Sequence, residues 1–488
     1  MRHAFLAAAV ASCLLAAAPT ASANGRFPAS NALLFSPTNP QLVILRTTFG
    51  ILPSYDYGTT WTWLCEDTLG LPPTANEDPN LGLTKTNALI AGLSLGLEVS
   101  PDTGCSWTTV DGGGLAGQLV KDIVVRPDAP DTILAVTSTF EPDAGLDGGQ
   151  GYTQYVYSST NDGAQWSKLG TIDPGATVTT IEVAASDPQR VYVSAFRGEG
   201  MQRTVSIFVS KDAGQTWTEH VLPSSAYDPN TESAIYIAAV DPGNADLLYI
   251  RSEGASRLTV SKDGAQTFQQ PFTMPQGDEM EGFALSPDGT KIWVGGPNTG
   301  LFSAATSDYA FSQVSSIHVQ CLATRGTDLW ACSDEPSGFI AGISQDDGKT
   351  FTAKLHLTTI AGPMACPPTT TAGALCTTTD YDAEIPYNPF GSLCTNLGAC
   401  YEAGTPQPLT TACDEAGACG PQSASSGGGS GSSGGSGSGS GGAGGDAGTG
   451  GKAKSSSCGC SVVGGGGAAG ALFGLAVAAI ATRRRRRR

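Results

Sequence analysis

Three arginines are the residues whose type and spacing could do chemistry in this sequence. Arg197 and Arg251 stand in similar contexts, Arg-Gly-Glu-Gly at 197–200 and Arg-Ser-Glu-Gly at 251–254, and Arg46 follows an earlier apolar run. A guanidinium group can hold a carboxylate with two parallel hydrogen bonds, so three that converged would bind an acidic substrate group. The alternative, which we favour, is that they are solvated loop ends or pair with nearby glutamates. Any catalytic activity stays open, with the balance against an enzyme.

Other chemistry has less support. His220, His318 and His356 do not lie at metal-ligand spacing from one another, and the acidic residues are too numerous for a catalytic carboxylate pair to be selected. Acidic segments at 141–148 and 278–281 could hold Ca²⁺ but do not follow the ligand order of an EF-hand. Ordinary acidic surface is the preferred interpretation, so we predict no metal site and no cofactor.

The charge balance excludes one class of partner. The 488 residues carry a net charge of −18, but residues 24–482 hold 19 basic against 44 acidic residues, a net charge of −25. Such a body would not neutralise phosphates, so nucleic acid is not an expected ligand. The 64 glycines and 30 prolines also argue against a helical protein.

An internal repeat gives the elements that must position the arginines. The pattern S-x-D-x-G-x-x-W fits residues 54–61, 100–107 and 210–217. Near copies occupy 159–166, with Asn at the Asp position, 344–351, with a final Phe, and 261–268, with Gly one place early. Residues 304–311 keep only the final aromatic residue. The intervals of 40 to 59 residues match a four-stranded propeller blade.

These repeats resemble the Asp boxes, or BNR repeats, of sialidase-like and sortilin-like proteins. The resemblance implies an all-β, seven-bladed β-propeller in which each box is the turn between the third and fourth strands of a blade. Asp then accepts backbone hydrogen bonds, Gly allows a positive φ, and the aromatic ring inserts between sheets. Structural roles are therefore expected for Ser54, Asp56, Gly58, Trp61, Ser100, Asp102, Gly104, Trp107, Asn161, Gly163, Trp166, Ser210, Asp212, Gly214, Trp217, Asp263, Phe268, Ser344, Asp346, Gly348 and Phe351.

The resemblance also implies where a site would lie. In Asp-box enzymes the active site is on the face opposite the boxes, and Arg46, Arg197 and Arg251 would reach that face from the ends of second strands. Sialidases also carry an Arg-Ile-Pro signature before the first blade, where this chain has Arg-Phe-Pro at 26–28. Their nucleophile pair and acid cannot be located here by a local motif.

Both ends of the chain predict export. Residues 1–23 are typical of a signal peptide cleaved between Ala23 and Asn24. A Gly/Ser-rich linker at 424–457 precedes Cys458-Gly-Cys and the uncharged residues 462–482, which as a helix of about 31 Å would just cross a bilayer. Six terminal arginines would hold the end in the cytoplasm.

The order of these C-terminal parts, residues 458–488, resembles the myxobacterial sorting tail known as MYXO-CTERM. That resemblance implies recognition by a membrane sorting protease, processing at Cys458 and retention at the cell surface. Without it, the same residues predict a single-span membrane anchor with the same topology.

Cysteines mark a neck at residues 366–423. Three closely spaced pairs, Cys366/Cys376, Cys394/Cys400 and Cys413/Cys419, suggest local disulfides that would stiffen a segment with little core, although six cysteines allow fifteen pairings. The propeller would then occupy residues 24–365. Residues 358–366 have the pattern of another inner strand, which would either complete the ring or leave it.

We predict a non-catalytic surface recognition module that binds an extracellular glycan or protein ligand on the face opposite the boxes. The first alternative is a surface glycoside hydrolase of exo-sialidase type. The second is a scaffold for assembly of the cell envelope.

Overall fold

The computed structural model describes residues 29–71, 77–140, 151–173, 175–253, 256–379 and 381, together with the backbone of two short strands at 411–413 and 419–421. The predicted signal peptide, Gly/Ser-rich linker, Cys458 and membrane span lie outside these residues. Within the described part of the chain, no helix has the length and apolar character needed to cross a membrane.

Successive groups of four antiparallel strands form seven blades, which confirms the all-β propeller prediction. Blade 1 contains β1 (Ser30–Phe35), β2 (Val43–Thr47), β3 (Gly50–Ser54) and β4 (Trp61–Trp63), and blade 2 contains β5 (Asn80–Leu83), β6 (Leu89–Leu93), β7 (Gly96–Ser100) and β8 (Thr108–Thr109). Blade 3 contains β9 (Leu119–Val125), β10 (Ile133–Phe140), β11 (Tyr152–Ser159) and β12 (Ser167–Ile172), and blade 4 contains β13 (Thr177–Val183), β14 (Val191–Arg197), β15 (Thr204–Ser210) and β16 (Thr218–Val221).

The remaining three blades follow the same scheme. Blade 5 contains β17 (Ala234–Asp241), β18 (Asn244–Glu253), β19 (Arg257–Ser261) and β20 (Gln269–Thr273), and blade 6 contains β21 (Gly282–Leu285), β22 (Lys291–Gly296), β23 (Gly300–Ala305) and β24 (Ser312–Ser315). Blade 7 contains β25 (Cys321–Arg325), β26 (Asp328–Cys332), β27 (Ala341–Ser344) and β28 (Thr352–Leu355). The helices are short: 3₁₀ turns at Glu66–Leu69, Gly200–Gln202, Pro275–Gly277, Glu335–Ser337 and Leu357–Thr359, and an α-helix at Thr371–Leu375.

The first strand of each blade lines the axis of the ring. First strands of adjacent blades contact one another all the way round, including β25 of blade 7 with β1 of blade 1. Apolar side chains fill the spaces between neighbouring sheets, as in the cluster of Val205, Ile207, Ile235 and Ile250 between blades 4 and 5. The core is therefore a set of blade-to-blade interfaces, and it holds the axial strands in fixed positions.

We call the segment after blade 7, residues 357–381, the clasp, because it packs back against blade 1. Its strand β29 (Ile360–Pro363) pairs in parallel with β4, so it is a fifth, outermost strand of blade 1. The prediction of another inner strand at 358–366 was therefore wrong, because blade 7 already abuts blade 1. Buried Glu335 fixes the start of the clasp by accepting the Leu357 amide at 2.6 Å.

Two disulfides fasten this clasp to the first two blades. Cys376 bonds to Cys65 after blade 1, and Cys366 bonds to Cys105 in the box of blade 2. The expected local pairing of Cys366 with Cys376 was therefore wrong, since each sulfur reaches a partner more than 250 residues earlier in the chain. A third disulfide joins β25 to β26 through Cys321 and Cys332. The side chains of Cys394, Cys400, Cys413 and Cys419 lie outside the described residues.

The two short strands in the neck extend another blade. The strands β30 (Thr411–Cys413) and β31 (Cys419–Pro421) form a hairpin, and β30 pairs antiparallel with β24, the outer strand of blade 6. Segments after the ring thus add strands to the outer edges of blades 1 and 6.

Candidate functional site

The boxes lie in the turns between third and fourth strands, where each serine is the last residue of its third strand. Its hydroxyl donates to the box Asp or Asn at 2.7 to 3.0 Å and accepts the amide four residues on at 2.7 to 3.0 Å. The Thr216 hydroxyl and amide, with the Ser210 hydroxyl, lower the pKa of Asp212 to about 2. These polar groups are bonded within their own turn, which is a structural role.

Two repeats depart from the box geometry in different ways. In blade 5, Ala265 takes the place of the box glycine with φ +69°, and Gly264 precedes it with φ +69°. In blade 6, the described bonds of residues 304–311 include none of the box bonds, and Phe311 instead stacks on Phe272 of blade 5 with ring centroids 4.2 Å apart. The ring therefore keeps its shape with six box turns among the described residues.

The box positions define two faces of the ring. We call the face with the box turns the box face; turns between first and second strands share it. The opposite face carries the turns between second and third strands and the connections between blades. Four first strands, β1, β9, β13 and β17, contain a β-bulge at Asn31, Lys121, Thr179 and Ala238. Bulges re-aim side chains, and they are common beside functional sites.

Near the axis, each pair of neighbouring blades is joined by a hydrogen bond that involves a side chain. Going round the ring, the donors and acceptors are Arg46 Nη1 to Pro79 O, Asn80 Nδ2 to Lys121 O, Ile181 N to Asp122 Oδ2, Thr179 Oγ1 to Ile235 O, Arg251 Nη1 to Met280 O, Thr324 Oγ1 to Leu285 O, and Ser30 N to Gln320 Oε1. Their lengths run from 2.6 to 3.1 Å. Two of the three predicted arginines thus belong to a girdle that ties the blades together.

Arg46 is held on two sides. Its Nε donates to Asn31 Oδ1 at 2.8 Å, and Asn31 in turn donates to Asp78 at 2.8 Å. Burial lowers the pKa of Arg46, the charges of Asp78 and Asp122 oppose that shift, and the charge of Arg251 adds to it. Arg46 and Arg251 are thus within electrostatic range of each other on the inner part of the ring.

Arg197 does not join them. Its guanidinium pairs with Asp173 and with Glu219, each at 3.1 Å, and Glu219 belongs to the outer strand of blade 4. It also lies over the Phe208 ring at 5.7 Å. The three arginines therefore do not surround one substrate group.

A pocket of about 210 Å³ opens beside Arg251 on the face opposite the boxes. Its lining includes Tyr236, Ser252, Glu253 and Glu281. The Tyr236 hydroxyl lies 3.4 Å from a Glu253 oxygen, and the Arg251 guanidinium lies 5.4 Å from the centre of the Tyr236 ring. Burial, with the nearby Glu253 charge, raises the pKa of Tyr236 to about 12. The pocket therefore offers one cation, a neutral hydroxyl and carboxylates to a polar ligand.

The acidic segment 278–281 borders this pocket. Asp278 is buried, and its carboxylate accepts the amides of Asn298 and Thr299 at 3.0 and 2.7 Å. Within the described ranges, no group of three or more His, Cys, Asp and Glu side chains has the arrangement of a metal site. Asp278 thus anchors a turn of blade 6. Residues 141–148 lie in a range that is not described.

Two acidic residues lie on first strands near the axis. Asp122 accepts the amides of Ile123 and Ile181, both at 2.9 Å, while burial raises its pKa to about 7. Burial, with the charge of Asp122, raises the pKa of Glu182 to about 8. Ionising both groups near neutral pH works against folding.

This arrangement predicts that Glu182→Gln raises the free energy of unfolding by an amount that depends on pH. A carboxyl whose folded pKa is raised contributes stability in full below about pH 4.5 and loses it as pH rises through about 8. The variant should match the parent at pH 4 and exceed it in free energy of unfolding at pH 9 by roughly 4 to 5 kcal/mol, at about 1.4 kcal/mol for each pKa unit between 4.5 and about 8. Urea unfolding between those values measures the gain. A gain that is the same at both ends would contradict the assignment, and Glu199→Gln in an exposed loop is the control.

Sequence reasoning missed Asn31, Asp122, Glu182 and Tyr236. A signal was present for two of them, since Asp122 and Glu182 are carboxylates next to buried apolar residues within first strands. Asn31 and Tyr236 gave no such signal, because the bulge at Asn31 and the proximity of Tyr236 to Glu253 become apparent only with strand register.

A match to a family model agrees with this fold. Residues 83–315 match the family model of the BNR repeat-like domain. Comparison with curated protein sequences gave no significant match. Solved structures that align include an ancestral GH74 enzyme (16% identity, TM-score 0.33), covering 66% of this chain and 37% of that one. YCF48 bound to D1 peptide aligns at 13% identity and TM-score 0.38, covering 56% of this chain and 79% of that one. Sqt1 of Saccharomyces cerevisiae aligns at 11% identity and TM-score 0.42, covering 67% and 86%. The chain spans just over a third of the length of the GH74 enzyme. Its seven-bladed propeller contains a BNR-repeat domain at residues 83–315.

Proposed function

We propose that this chain is an exported, cell-surface β-propeller that binds a glycan or protein ligand on the face opposite the boxes and does not catalyse a reaction. The observation that carries the proposal is the pocket beside Arg251. It is built from the end of β18 and the connection into blade 6, and both lie on that face. Propellers expose exchangeable loops on a rigid ring, which suits recognition.

The arginines support binding over catalysis. Arg46 and Arg251 are engaged in blade-to-blade bonds, and Arg197 is paired on the outer part of blade 4. A trio that holds a substrate carboxylate would need its guanidinium groups free and convergent. Only Arg251 borders the pocket, where it can orient a ligand.

Export and anchoring complete the proposal. Disulfides persist in oxidising compartments, and three pairs of cysteines lie at bonding distance here. The predicted signal peptide, membrane span and sorting tail assign the chain to the cell surface. Deleting residues 458–488 should release the propeller into the medium, and continued retention on the cell would contradict the anchor.

Binding can be tested with an array of neutral and acidic oligosaccharides and an array of extracellular peptides. Tyr236→Phe and Glu253→Gln should each weaken capture at least tenfold, because they remove the polar groups that face the pocket. Tyr55→Phe, an exposed tyrosine in the box of blade 1, is the matched control and should leave capture unchanged. If neither Tyr236→Phe nor Glu253→Gln changes ligand capture, the pocket beside Arg251 is not the binding site.

A glycoside hydrolase is the second candidate, because the Tyr236 hydroxyl lies 3.4 Å from Glu253 beside an arginine. The pKa of the Tyr236 hydroxyl is raised to about 12, which disfavours a phenolate nucleophile at neutral pH. Fluorogenic sialosides and β-glucosides test this candidate directly. Turnover that Tyr236→Phe abolishes would replace the binding proposal with catalysis.

A further inference from the structure

A second cleft lies on the box face, between blades 4 and 5. It encloses about 560 Å³, and its lining includes Arg190, Lys211, His220, Lys262 and Gly264. Arg190 precedes β14, and Gly264 lies in the box turn of blade 5, so both belong to the box face. This cleft is therefore separate from the pocket beside Arg251.

The altered box of blade 5 leaves this cleft open. In three other boxes, the residue just before the glycine position reaches the preceding blade. Tyr57 donates to Asp328 at 2.8 Å, Asp162 accepts the Thr86 amide at 3.4 Å, and Asp347 pairs with Lys291 at 3.0 Å.

At blade 5 this position is Gly264, which has no side chain to fill the gap. A Cβ there would lie 2.9 Å from Asp246 Oδ1 and 3.1 Å from Arg190 Nη1. The glycine that stands one place early in the repeat thus leaves room for the Arg190–Asp246 pair in the cleft wall.

Basic side chains outnumber carboxylates in the lining of the cleft, three to two. Asp246 is engaged by Arg190. The carboxylate of Asp263 is engaged inside its own turn by Ser261, the Gln266 amide and Thr267. Lys211 and Lys262 are both exposed, and neither forms an ion pair among the described residues. With three basic side chains against two carboxylates, the lining of the cleft carries a net positive charge in a chain of net charge −18, which attracts anions locally.

We infer that this cleft binds an acidic polysaccharide through Lys211 and Lys262. The lining is almost wholly polar, with Val209 as its one apolar side chain among the described residues. Protein ligands usually bury aromatic or aliphatic anchors at the centre of an interface, and the cleft has no pocket for them. A uronic acid or sulfated polysaccharide presents an anion and hydroxyls on successive sugars, which match the ammonium groups and the donors of Thr218 and Gln266.

Affinity electrophoresis of the full chain tests the inference. Gels contain polygalacturonate, dextran sulfate, neutral dextran or poly-glutamate. Retardation is expected with one or both acidic polysaccharides, none is expected with dextran, and the effect should weaken as salt is raised. The variant Lys211→Gln/Lys262→Gln should weaken the interaction at least tenfold.

Matched variants decide what the result means. Lys349→Gln/Lys354→Gln changes the charge equally on blade 7 and should shift affinity less than twofold. Equal losses in the two lysine pairs would show a general charge effect and overturn the site. Absence of retardation by both acidic polysaccharides would also overturn it. If poly-glutamate binds as strongly as the acidic polysaccharides, and if that binding also depends on Lys211 and Lys262, the cleft is a site for acidic peptides and the inference is overturned.

Discussion

Replacing all four cysteines of the clasp disulfides with serine is expected to lower the free energy of unfolding by about 10 kcal/mol, more than twice the loss from removing either bond. The Cys65–Cys376 and Cys105–Cys366 bonds close chain loops of 311 and 261 residues. Closing so long a loop removes much of the conformational entropy of the unfolded chain.

The two bonds are not independent. When one is intact, the other closes only the short path through the two intervening chain segments, so its loss alone costs about 4 kcal/mol. When both are lost, the full loop opens. Urea unfolding of the two single-bond variants and the four-serine variant measures this non-additivity.

The Cys321–Cys332 bond is the control. It spans 11 residues within blade 7, so its removal should cost about 3 kcal/mol and add independently to the others. Amide exchange supplies a second measurement, because the Met364 amide donates to Trp63 O at 2.8 Å where the clasp joins blade 1. A four-serine variant as stable as the less stable single-bond variant would contradict this non-additivity.

The contrast between boxes and clasp explains what sequence could predict. A box is made by hydrogen bonds that span four residues or fewer, so its residue types and their order are enough to identify the turn. Repetition of that turn then predicts the number of blades. The clasp depends on sulfur pairs that are distant in sequence, and the short spacing of Cys366 and Cys376 pointed to the wrong partners.

The arginines show the same limit at the candidate site. Arg197 and Arg251 have nearly the same local sequence, and both come near the end of a second strand. Their partners differ because Arg251 meets the connection into the next blade, whereas Arg197 meets the outer strand of its own blade. Which residue a side chain contacts depends on strand register and on the packing of adjacent sheets. The local sequence motif determines neither of these.

Arg46→Ala is therefore expected to destabilise the fold far more than Arg197→Ala. Arg46 links blades 1 and 2 through Asn31 and Pro79 O, and its loss would remove a positive charge that interacts with Asp78 and Asp122. Losing a charged group from such a network should cost about 3 kcal/mol. Arg197 pairs with partly exposed carboxylates in contact with solvent, so its loss should cost at most about 1 kcal/mol.

Thermal unfolding and ligand capture, measured on the same two variants, separate a structural role from a binding role. If Arg46 acts only in the girdle, Arg46→Ala should lower the melting temperature and leave ligand affinity nearly unchanged below the transition. If Arg46 and Arg197 were instead two members of a carboxylate-binding trio, both variants would lose affinity for acidic ligands by similar factors while their stabilities stayed close. Equal effects on stability would contradict the separation that the structure makes between the axial arginine and the outer one.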